Sequence, residues 1–402
     1  MMCPPSTITW ICPAELLELA QKYADQEGTC LIANETGVYL GILPKRTLKL
    51  YPTPQAWEQL SVFVQEALLP VMGFIGYEMG AFADPAYPLP WYPSSYASTV
   101  FFEPSKIYAS THLPPLKQTL PQNLNCNARE EKSSYLSKIE HIRNLIAEGK
   151  VYQVNLSQSF RFQHEGVDAF QLFQSLYARN PAKYAAYLNV GEQKILSLSP
   201  ELWITSSHNI LTTRPIKGTA ARGKTIAEDE QFKQQLQNSE KNRSELLMIT
   251  DLMRHDLYSV CQPGSIKLIE LCKLEAHPDV FHLVSTLQGV PNTLPAVEKL
   301  RSLFPAGSIT GCPKKASMEV IAKLEQRHRG VYTGSIGMFF PQGDFCFNVA
   351  IRTAIWTEHD IEIQLGGAIV YDSDPEEEYL ETLHKGRTFF HILSANGYQR
   401  VF

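Results

Sequence analysis

The sequence predicts an α+β protein because its two halves carry different patterns. More than half of the 26 prolines precede residue 125, and short apolar runs there alternate with proline-rich segments at 84–93 and 111–121. Such alternation is typical of strands joined by irregular loops. From residue 134 onward, apolar residues at helical spacing alternate with short strand-like runs.

The length of the chain bears on its domain organisation. With 402 residues, 44% of them hydrophobic, the chain can bury a large core and exceeds the usual size of one simple domain. We divide it into an N-terminal region at 1–121, a polar linker at 122–134 and a second region at 135–393. Composition alone leaves open whether the two regions form separate cores.

Charge and cysteine usage narrow the class of protein. A formal net charge of −5, without any block of basic residues, gives no general attraction to nucleic acid or to anionic membranes. The longest uncharged apolar run, at 67–76, is too short to span a bilayer. No positive charge precedes Lys22, so we expect neither a signal peptide nor a transit peptide. The eight scattered cysteines argue against zinc and disulfides, and we expect a globular protein of the reducing cytoplasm.

Three elements of the second region can be assigned in order. Apolar residues at helical spacing predict a helix over 135–148, which Gly149 ends. Residues 151–160 alternate as a strand. Residues 239–257 predict another helix, in which acidic side chains interrupt an apolar segment.

The last helix of the chain has the clearest start signal. Asp374 suits the N-cap, Pro375 suits the first helical position, and Glu377 completes a capping box with Asp374. Three charged side chains then share one helical face: Glu378, Glu381 and Lys385. Taken alone, this face is more often a solvated polar surface.

Acidic side chains from two predicted helices form a candidate metal site. Glu245 lies on the 239–257 helix, while Glu378 and Glu381 lie on the last helix. Their carboxylates would supply the hard oxygen ligands that Mg²⁺ prefers, leaving positions for water and an anionic substrate. The sequence therefore predicts Mg²⁺ as cofactor.

Three glycine-containing segments are candidates for ligand contacts. The turn at 304–314 leads into a proline-started helix and suits anion binding by backbone N–H groups, although it lacks the spacing of a P-loop. At 366–368, a Gly-Gly-Ala run lets backbone approach a ligand closely. In the turn-like run 213–219, Pro215 and Gly218 would hold the amine of Lys217 on a stiff loop. A solvated surface lysine is the alternative there.

These motifs, in this order, resemble the chorismate-binding family, whose members convert chorismate to aminodeoxychorismate, anthranilate, isochorismate or salicylate. The resemblance covers about 135–393 and is weaker around 73–78. It implies two facing β-sheets flanked by helices, with the active site in the cleft between the sheets. The two regions would then form one intertwined structural unit.

The resemblance also implies a role for each candidate site residue. Lys217 corresponds to the nucleophile, Glu201 to a general acid near the ring hydroxyl, and His282 to a residue near the reacting carbons. Mg²⁺ would be held by Glu245, Glu378 and Glu381. The contacts to the substrate would be Ser308, Tyr332, Arg352, Gly366, Gly367 and Lys385. Considered without the resemblance, Arg352 lies on a strand-like run, where its guanidinium could bind a carboxylate ligand or form a structural ion pair.

Two positions bear on the reaction that the resemblance implies. Lys217 is similar to the lysine of members that form 4-amino-4-deoxychorismate on the route to 4-aminobenzoate and folate. Gln153 stands where isochorismate- and salicylate-forming members have a lysine that activates water, and an amide cannot act as that base. Ammonia is then the expected nucleophile. The chain has no Gly-x-Cys-x-Gly elbow for releasing ammonia from glutamine, so a separate glutamine amidotransferase subunit is implied.

Two alternatives remain open. One is a member that forms anthranilate, which Lys217 disfavours; such members bind tryptophan with an Asn-Pro-Ser-Pro-Tyr run and an N-terminal serine. Here residues 180–184 read Asn-Pro-Ala-Lys-Tyr, and Asn34 stands in the region of that serine. The other is a non-catalytic module that binds chorismate or an amidotransferase. Two departures from the family pattern give it slight support, Asn242 for an acidic residue and Ala316 for an arginine; Ala368 for a glycine is a third departure.

Overall fold

The structure of the protein is a computed structural model that describes residues 8–84, 89, 91, 92, 94, 96–117, 124–277 and 280–394. Residues 85–88, 90, 93, 118–121, and 122 and 123 of the predicted linker lie outside the described residues. Its helices are α1 (Pro13–Tyr23), α2 (Ala56–Gln65), α3 (Lys132–Ala147), α4 (Ala169–Arg179), α5 (Ile226–Asn238), α6 (Glu240–Tyr258), α7 (Ala296–Leu303), α8 (Lys314–Glu325), α9 (Pro375–Lys385) and α10 (Arg387–Leu393).

The strands are distributed over the whole length of the described chain. They are β1 (Ile8–Trp10), β2 (Cys30–Asn34), β3 (Gly37–Leu50), β4 (Val71–Ile75), β5 (Thr99–Ser110), β6 (Cys126–Ala128), β7 (Gln153–Gln163), β8 (Tyr184–Asn189), β9 (Lys194–Ser199), β10 (Leu202–Ser207), β11 (Ile210–Arg214), β12 (Ile216–Ala221), β13 (Lys267–Ala276), β14 (Val280–Gly289), β15 (Gly311–Cys312), β16 (Ser335–Phe339), β17 (Phe345–Asn348), β18 (Thr353–Trp356) and β19 (Asp360–Ile369). The mixture of helices and strands confirms the predicted α+β class.

Hydrogen bonds join most of the strands into one antiparallel ladder. Its order is β6–β7–β19–β18–β9–β8–β2–β3–β5–β4–β16–β17–β10–β11–β14–β13. Strand β12 continues β11 along β14, β15 pairs with β7, and β1 runs parallel to β5. Strands from 1–121 and from 135–393 are neighbours in this ladder, so the two regions share backbone hydrogen bonds. The division into two facing sheets stays a prediction.

The core is built from apolar strand faces and the helices that cover them. One buried cluster, which includes Phe74, Phe102 and Ile336, consists of strand and loop residues without a helical member in the described chain. Two larger clusters add the apolar faces of helices, α2, α6 and α7 in one and α1, α4 and α10 in the other. Apolar strand residues therefore pack against strands on one side and against helices on the other.

The predicted elements of the second region are found with shifted ends. The helix predicted over 135–148 begins earlier, at Lys132, and the strand predicted over 151–160 is β7. Helix α6 has Ser239 as its N-cap, and the Ser239 hydroxyl accepts from the backbone N–H of Asn242. At α9, the Asp374 carboxylate accepts from the Glu377 N–H at 3.0 Å. The reverse bond that would complete the predicted capping box is not formed within the described residues.

Candidate active site

Lys217 lies on a strand that a bulge bends. The prediction of a turn-like loop is wrong, since Lys217 is the second residue of β12 and pairs with Leu283 of β14. The next pair is Thr219 with His282, so Gly218, at φ +74°, is an extra residue opposite β14. A bulge of this kind changes the direction of neighbouring side chains, and glycine adopts a positive φ without strain. No hydrogen bond within the described residues reaches the Lys217 amine.

Glu201 is buried beside Lys217 at the start of β10. Glu201 is 4% exposed, and the Ser308 hydroxyl and the backbone N–H of Ile216 lie close enough to its carboxylate to favour the charged form. Burial raises the pKa of Glu201 to about 7, against the opposing effects of Ser308 and of the Lys217 charge. A carboxyl group with this pKa is protonated in part at neutral pH, which is what proton donation to a leaving group requires.

Burial also shifts the pKa of Lys217, but downwards, because the charged form of lysine is the protonated one. Burial lowers the pKa of the Lys217 ammonium below its usual value, and the Lys385 charge adds to this effect. The carboxylates of Glu245, Glu201 and Glu381 oppose it. The shift favours the neutral amine, which is the nucleophilic form.

The three acidic residues predicted for the metal site lie near one another. Burial raises the pKa of Glu245, with a further contribution from the negative charges of Glu381 and Glu378. Glu378 is 2% exposed and accepts from the Ser373 hydroxyl at 2.7 Å and from the Lys241 ammonium at 3.3 Å. Helices α6 and α9 therefore bring these carboxylates to one place.

Lys385 connects the acidic cluster to strand β19. Its ammonium lies 2.7 Å from Glu381 Oε1 and donates to the Gly366 carbonyl at 3.0 Å, and its charge holds the pKa of Glu381 below the usual range. A Cβ atom at Gly367 would lie 3.3 Å from Glu378 Oε2, 3.7 Å from Lys385 Nζ and 3.9 Å from Glu381 Oε1. Glycine at 367 therefore leaves space beside all three charged groups.

The donor set fits Mg²⁺ by its chemistry. Glu245, Glu378 and Glu381 offer only carboxylate oxygens, which suit a hard divalent cation. Within the described residues, however, no three His, Cys, Asp or Glu side chains converge closely enough to hold a metal ion as they stand. Lys241 and Lys385 instead pair with Glu378 and Glu381. A bound cation would have to replace these ammonium groups as the partner of the carboxylates.

His282 lies on β14 next to the bulge. It is 7% exposed, and its Nδ1 lies 2.9 Å from the Thr219 hydroxyl. Burial lowers the pKa of His282 to about 4, and the charges of His277 and Arg352 act in the same direction. The imidazole is therefore neutral at physiological pH and can donate or accept a hydrogen bond.

Arg352 provides a cation that has no partner among the residues that the structure describes. The prediction that Arg352 lies on a strand is wrong, because the residue immediately precedes β18. Its φ of +51° is a left-handed conformation that is uncommon for a non-glycine residue. No hydrogen bond or ion pair reaches its guanidinium within the described part of the chain. Its charge interacts with Tyr332 and Glu381. An unpaired guanidinium beside the acidic cluster suits an anionic ligand such as a carboxylate.

All predicted site residues therefore belong to one connected set. Electrostatic interactions link the charge of Lys217 to those of Glu201, Glu245, Glu381 and Lys385. The charge of Arg352 interacts with Glu381, Tyr332 and His282, and Ser308 joins the set because its hydroxyl lowers the pKa of Glu201. These residues come from both ends of the strand ladder, since Lys217 and His282 lie near one end and Gly366 lies near the other.

The positions that depart from the family pattern have identifiable surroundings. The Asn242 amide donates to the Ser239 hydroxyl at 2.8 Å, and its side chain packs against Gly218. Ala316 lies partly buried on α8, and Ala368 lies on β19. Gln153 is fully buried, and its amide nitrogen and oxygen have no hydrogen-bond partner in the described structure. Such an amide can bind a ligand, but it cannot take a proton from water.

Sequence reasoning missed two residues of this region. Lys241 pairs with Glu378, and Arg329 forms a buried ion pair with Glu325 next to Tyr332. Helical spacing could have indicated Lys241, because it lies four residues before Glu245 on α6. A polar cavity of about 430 Å³, lined by Arg129, Arg161, His328 and other residues, contains none of the predicted site residues.

Comparisons with known proteins give the family. The model of the chorismate binding enzyme family matches residues 39–391. Aminodeoxychorismate synthase component 1 of Salmonella typhimurium is 43% identical over 263 residues, which cover 65% of this chain and 58% of that protein. Anthranilate synthase component 1 of Saccharolobus solfataricus is 39% identical over 265 residues, which cover 66% of this chain and 61% of that protein. The chain thus spans less than two thirds of the length of these curated relatives.

Solved structures agree on the fold. The menaquinone-specific isochorismate synthase of Escherichia coli matches with a TM-score of 0.77 at 18% identity, covering 93% of this chain and 91% of that one. Anthranilate synthase component I of Streptococcus pneumoniae matches with a TM-score of 0.73 at 25% identity, covering 90% of each chain. Within the described residues, no helix is long and apolar enough to cross a membrane. Since the family match extends over most of both predicted regions, the chain belongs to the chorismate binding enzyme family.

Proposed function

We propose that this chain is the chorismate-aminating component of an aminodeoxychorismate synthase, which converts chorismate and ammonia to 4-amino-4-deoxychorismate and water. The observation that carries the proposal is the pair of Lys217 and Glu201, whose pKa values burial moves in opposite directions, towards a neutral amine and a protonated acid. Similarity to the Salmonella typhimurium enzyme supports the same reaction. The reaction is an amination of the transaminase class.

The chemistry assigns one step to each of these two residues. The Lys217 amine attacks C2 of chorismate, both ring double bonds shift round the ring towards C4, and the C4 hydroxyl leaves as water with a proton from Glu201. Ammonia then forms a bond at C4, the two double bonds return, the C2–N bond to Lys217 breaks, and the proton that the ammonia nitrogen loses restores Glu201. His282, which is neutral, lies beside these atoms. The cleft between two facing sheets is the expected place for the ring.

The remaining residues bind the substrate. Arg352, Tyr332 and Ser308 offer a guanidinium and two hydroxyls to its carboxylates and ring, while Gly366, Gly367 and Lys385 complete the contacts beside the acidic cluster. Mg²⁺, held by Glu245, Glu378 and Glu381, would supply positive charge to the ring carboxylate. With a substrate carboxylate and a cation both present, Lys385 and Lys241 are free to leave their carboxylate partners.

The partner and the setting follow from the same proposal. Relatives named component 1 imply a second subunit, and we propose that this subunit is a glutamine amidotransferase that supplies ammonia. The product would serve the synthesis of 4-aminobenzoate and folate in the cytoplasm. Formation of anthranilate is the second candidate, since relatives with that name match at similar identity.

Product identification tests the proposal. Wild-type protein with chorismate, Mg²⁺ and ammonium at mildly alkaline pH should give a product that a lyase converts to 4-aminobenzoate. Direct release of fluorescent 2-aminobenzoate would instead support the anthranilate alternative. Binding of chorismate without turnover would support the non-catalytic module.

The nucleophile is tested by Lys217→Ala. Loss of the amine should lower product formation by orders of magnitude, or leave only slow direct amination, while chorismate binding persists. Lys224→Ala, which removes an exposed lysine nearby, is the matched control and should keep wild-type activity. Mass spectrometry of the reacting wild type should place a substrate-derived adduct on the peptide that contains Lys217. A Lys217→Ala variant as fast as wild type with the same product would contradict the assignment.

A further inference from the structure

Arg329 is the most completely bonded charged side chain near the candidate site. It lies between α8 and β16 and is 2% exposed. Its Nε donates to Glu325 Oε2 at 2.9 Å, and its Nη2 donates to Glu325 Oε1 at 2.7 Å and to the Asn155 carbonyl at 2.8 Å. Its Nη1 donates to the Thr333 hydroxyl at 3.2 Å and to the Ile309 carbonyl at 3.5 Å. These contacts use all five N–H groups of a guanidinium.

The contacts of Arg329 end on the backbone next to two predicted substrate-binding residues. Ile309, whose carbonyl accepts from Arg329, directly follows Ser308. The Thr333 hydroxyl accepts from Arg329 and donates to the Tyr332 carbonyl at 2.6 Å. Thr333 has φ +60°, a strained conformation for a β-branched residue, which the surrounding contacts must hold in place.

The ring of Tyr332 also contacts this cation. The Arg329 guanidinium carbon lies 5.8 Å from the centre of the Tyr332 ring and 4.7 Å from the centre of the Tyr77 ring. A guanidinium at such a distance from aromatic rings attracts them electrostatically and restricts their orientation. The backbone of Arg329 is held as well, because its N–H donates to the buried Glu78 carboxylate at 2.8 Å.

We propose that Arg329 is a positioning residue for chorismate binding, which holds Tyr332 and the Ser308–Ile309 segment in the orientation that receives the substrate. It does not itself touch the substrate. The inference rests on the proposed function, because it assigns to Arg329 an effect on the affinity of that same site. The planar five-donor fork is essential, since a lysine offers three donors from one nitrogen and cannot reach Glu325, Asn155, Thr333 and Ile309 together.

The test measures chorismate binding by titration calorimetry, together with kcat and KM. Arg329→Lys keeps the charge opposite Glu325 but loses the fork, so it should raise the Kd and KM for chorismate about tenfold and change kcat less than about threefold. Arg46→Lys is the matched control, because Arg46 also pairs with a buried glutamate, Glu103, and stacks on an aromatic ring, Phe63, at 4.5 Å. This control should bind chorismate as wild type does.

A double-mutant cycle separates positioning from a general structural role. Tyr332→Phe combined with Ser308→Ala should weaken chorismate binding by more than about tenfold, and addition of Arg329→Lys should weaken it little further if Arg329 acts through these two residues. A further loss of about tenfold on adding Arg329→Lys to this background would show an independent effect and would overturn the proposal. If Arg329→Lys does not fold, Thr333→Ala breaks the link to the Tyr332 carbonyl and leaves the Glu325 pair intact; it should weaken binding severalfold.

The outcomes for the inference and for the proposed function are distinguishable. Wild-type binding of chorismate by both Arg329→Lys and Thr333→Ala would overturn the positioning role while the proposed reaction stands. Absence of chorismate binding by the wild-type chain would overturn both. Weaker binding in the site variants, with wild-type binding in Arg46→Lys, supports the positioning role whichever aminated product is formed.

Discussion

Burial shifts the pKa values of Glu201 and Lys217 in opposite directions. Removal from water disfavours the charged form of each group, so the acid keeps its proton and the amine loses one. Each residue is therefore kept in the form that the proposed reaction uses. Burial of Glu201 lowers the stability of the folded protein at any pH at which this carboxyl group must ionise in the protein interior.

This cost leads to a prediction for Glu201→Gln. The pKa of Glu201 is raised from 4.5 to about 7 in the folded protein, so the folded state binds a proton that the unfolded state has lost between these values. The stability of the wild type should therefore fall as pH rises through this window, by at most about 3 kcal/mol from this group. Glutamine has no proton to lose, so the variant should be more stable than wild type at pH near 8.

Thermal unfolding at two pH values, with an activity assay, checks this prediction. The stability gain of Glu201→Gln should shrink near pH 5, where the folded wild type still holds the proton and has lost only a small part of this stability. Turnover should be strongly reduced at both pH values, because an amide cannot donate the required proton. Equal or lower stability of the variant at pH near 8 would contradict the raised pKa.

At the scale of elements, helix α9 combines a well-defined start with a functional face. The N-cap Asp374 and Pro375 determine where the helix begins, and the spacing of Glu378, Glu381 and Lys385 then determines which side chains face β19 and α6. The strand next to it contributes Gly366 and Gly367, which allow close approach. The geometry of the acidic cluster thus depends on one helix packed on one strand.

Glu381→Ala tests the metal assignment to α9. Loss of this carboxylate should lower activity by about a hundredfold or more and weaken Mg²⁺ binding measured by calorimetry, while the fold is retained. Glu376→Ala is the control, since Glu376 lies on the same helix but pairs with Lys132 at 2.6 Å on the exposed side. Full turnover by Glu381→Ala in the presence of a chelator would be incompatible with the assignment.

The segment 180–184 leads to a prediction about regulation. Lys183 pairs with Glu35 at 2.8 Å, the Tyr184 hydroxyl donates to the same carboxylate at 2.8 Å, and Asn34 Oδ1 accepts from Thr36. An added cation and the loss of serine hydroxyls should weaken tryptophan binding at this position. Steady-state assays with micromolar tryptophan should therefore show no inhibition. Half-maximal inhibition in that range would contradict the prediction; binding without inhibition would not.

At the scale of the whole molecule, the ladder of strands brings distant residues together. Lys217 lies near one end of the ladder and Gly366 near the other, yet Lys217 interacts electrostatically with Lys385, which bonds to Gly366. Strands from before residue 121 lie in the middle of the ladder, so the region 135–393 cannot be separated from them without breaking backbone hydrogen bonds. The N-terminal region thus contributes to the stability of the site.

The nitrogen source is a prediction for the whole chain. The sequence contains no Gly-x-Cys-x-Gly nucleophile elbow, so the purified chain should use ammonium and not glutamine. A coupled lyase assay for 4-aminobenzoate should show product with ammonium alone, and with glutamine only after an amidotransferase subunit is added. Turnover with glutamine by the purified chain would show that it releases ammonia itself.

Much of the site could be predicted because its signals are local. Helices α6 and α9 follow from caps and spacing within a few residues, and Glu245, Glu378 and Glu381 follow from those helices. The order of separate motifs along the chain gave the family, which the match over residues 39–391 confirms. The individual catalytic roles stay predictions.

What the sequence determined by itself was therefore the α+β class, the helices that carry the acidic residues, and the family. Only the tertiary structure decided that Lys217 lies on a bulged strand, that Arg352 adopts a left-handed conformation, and that Arg329 reaches Tyr332, Ile309 and Asn155. The physical reason is the range of the interactions. Caps and spacing involve residues that are close in sequence, whereas bulge pairing, burial and the bonds of Arg329 to Asn155 and Ile309 involve strands and loops that are distant in sequence.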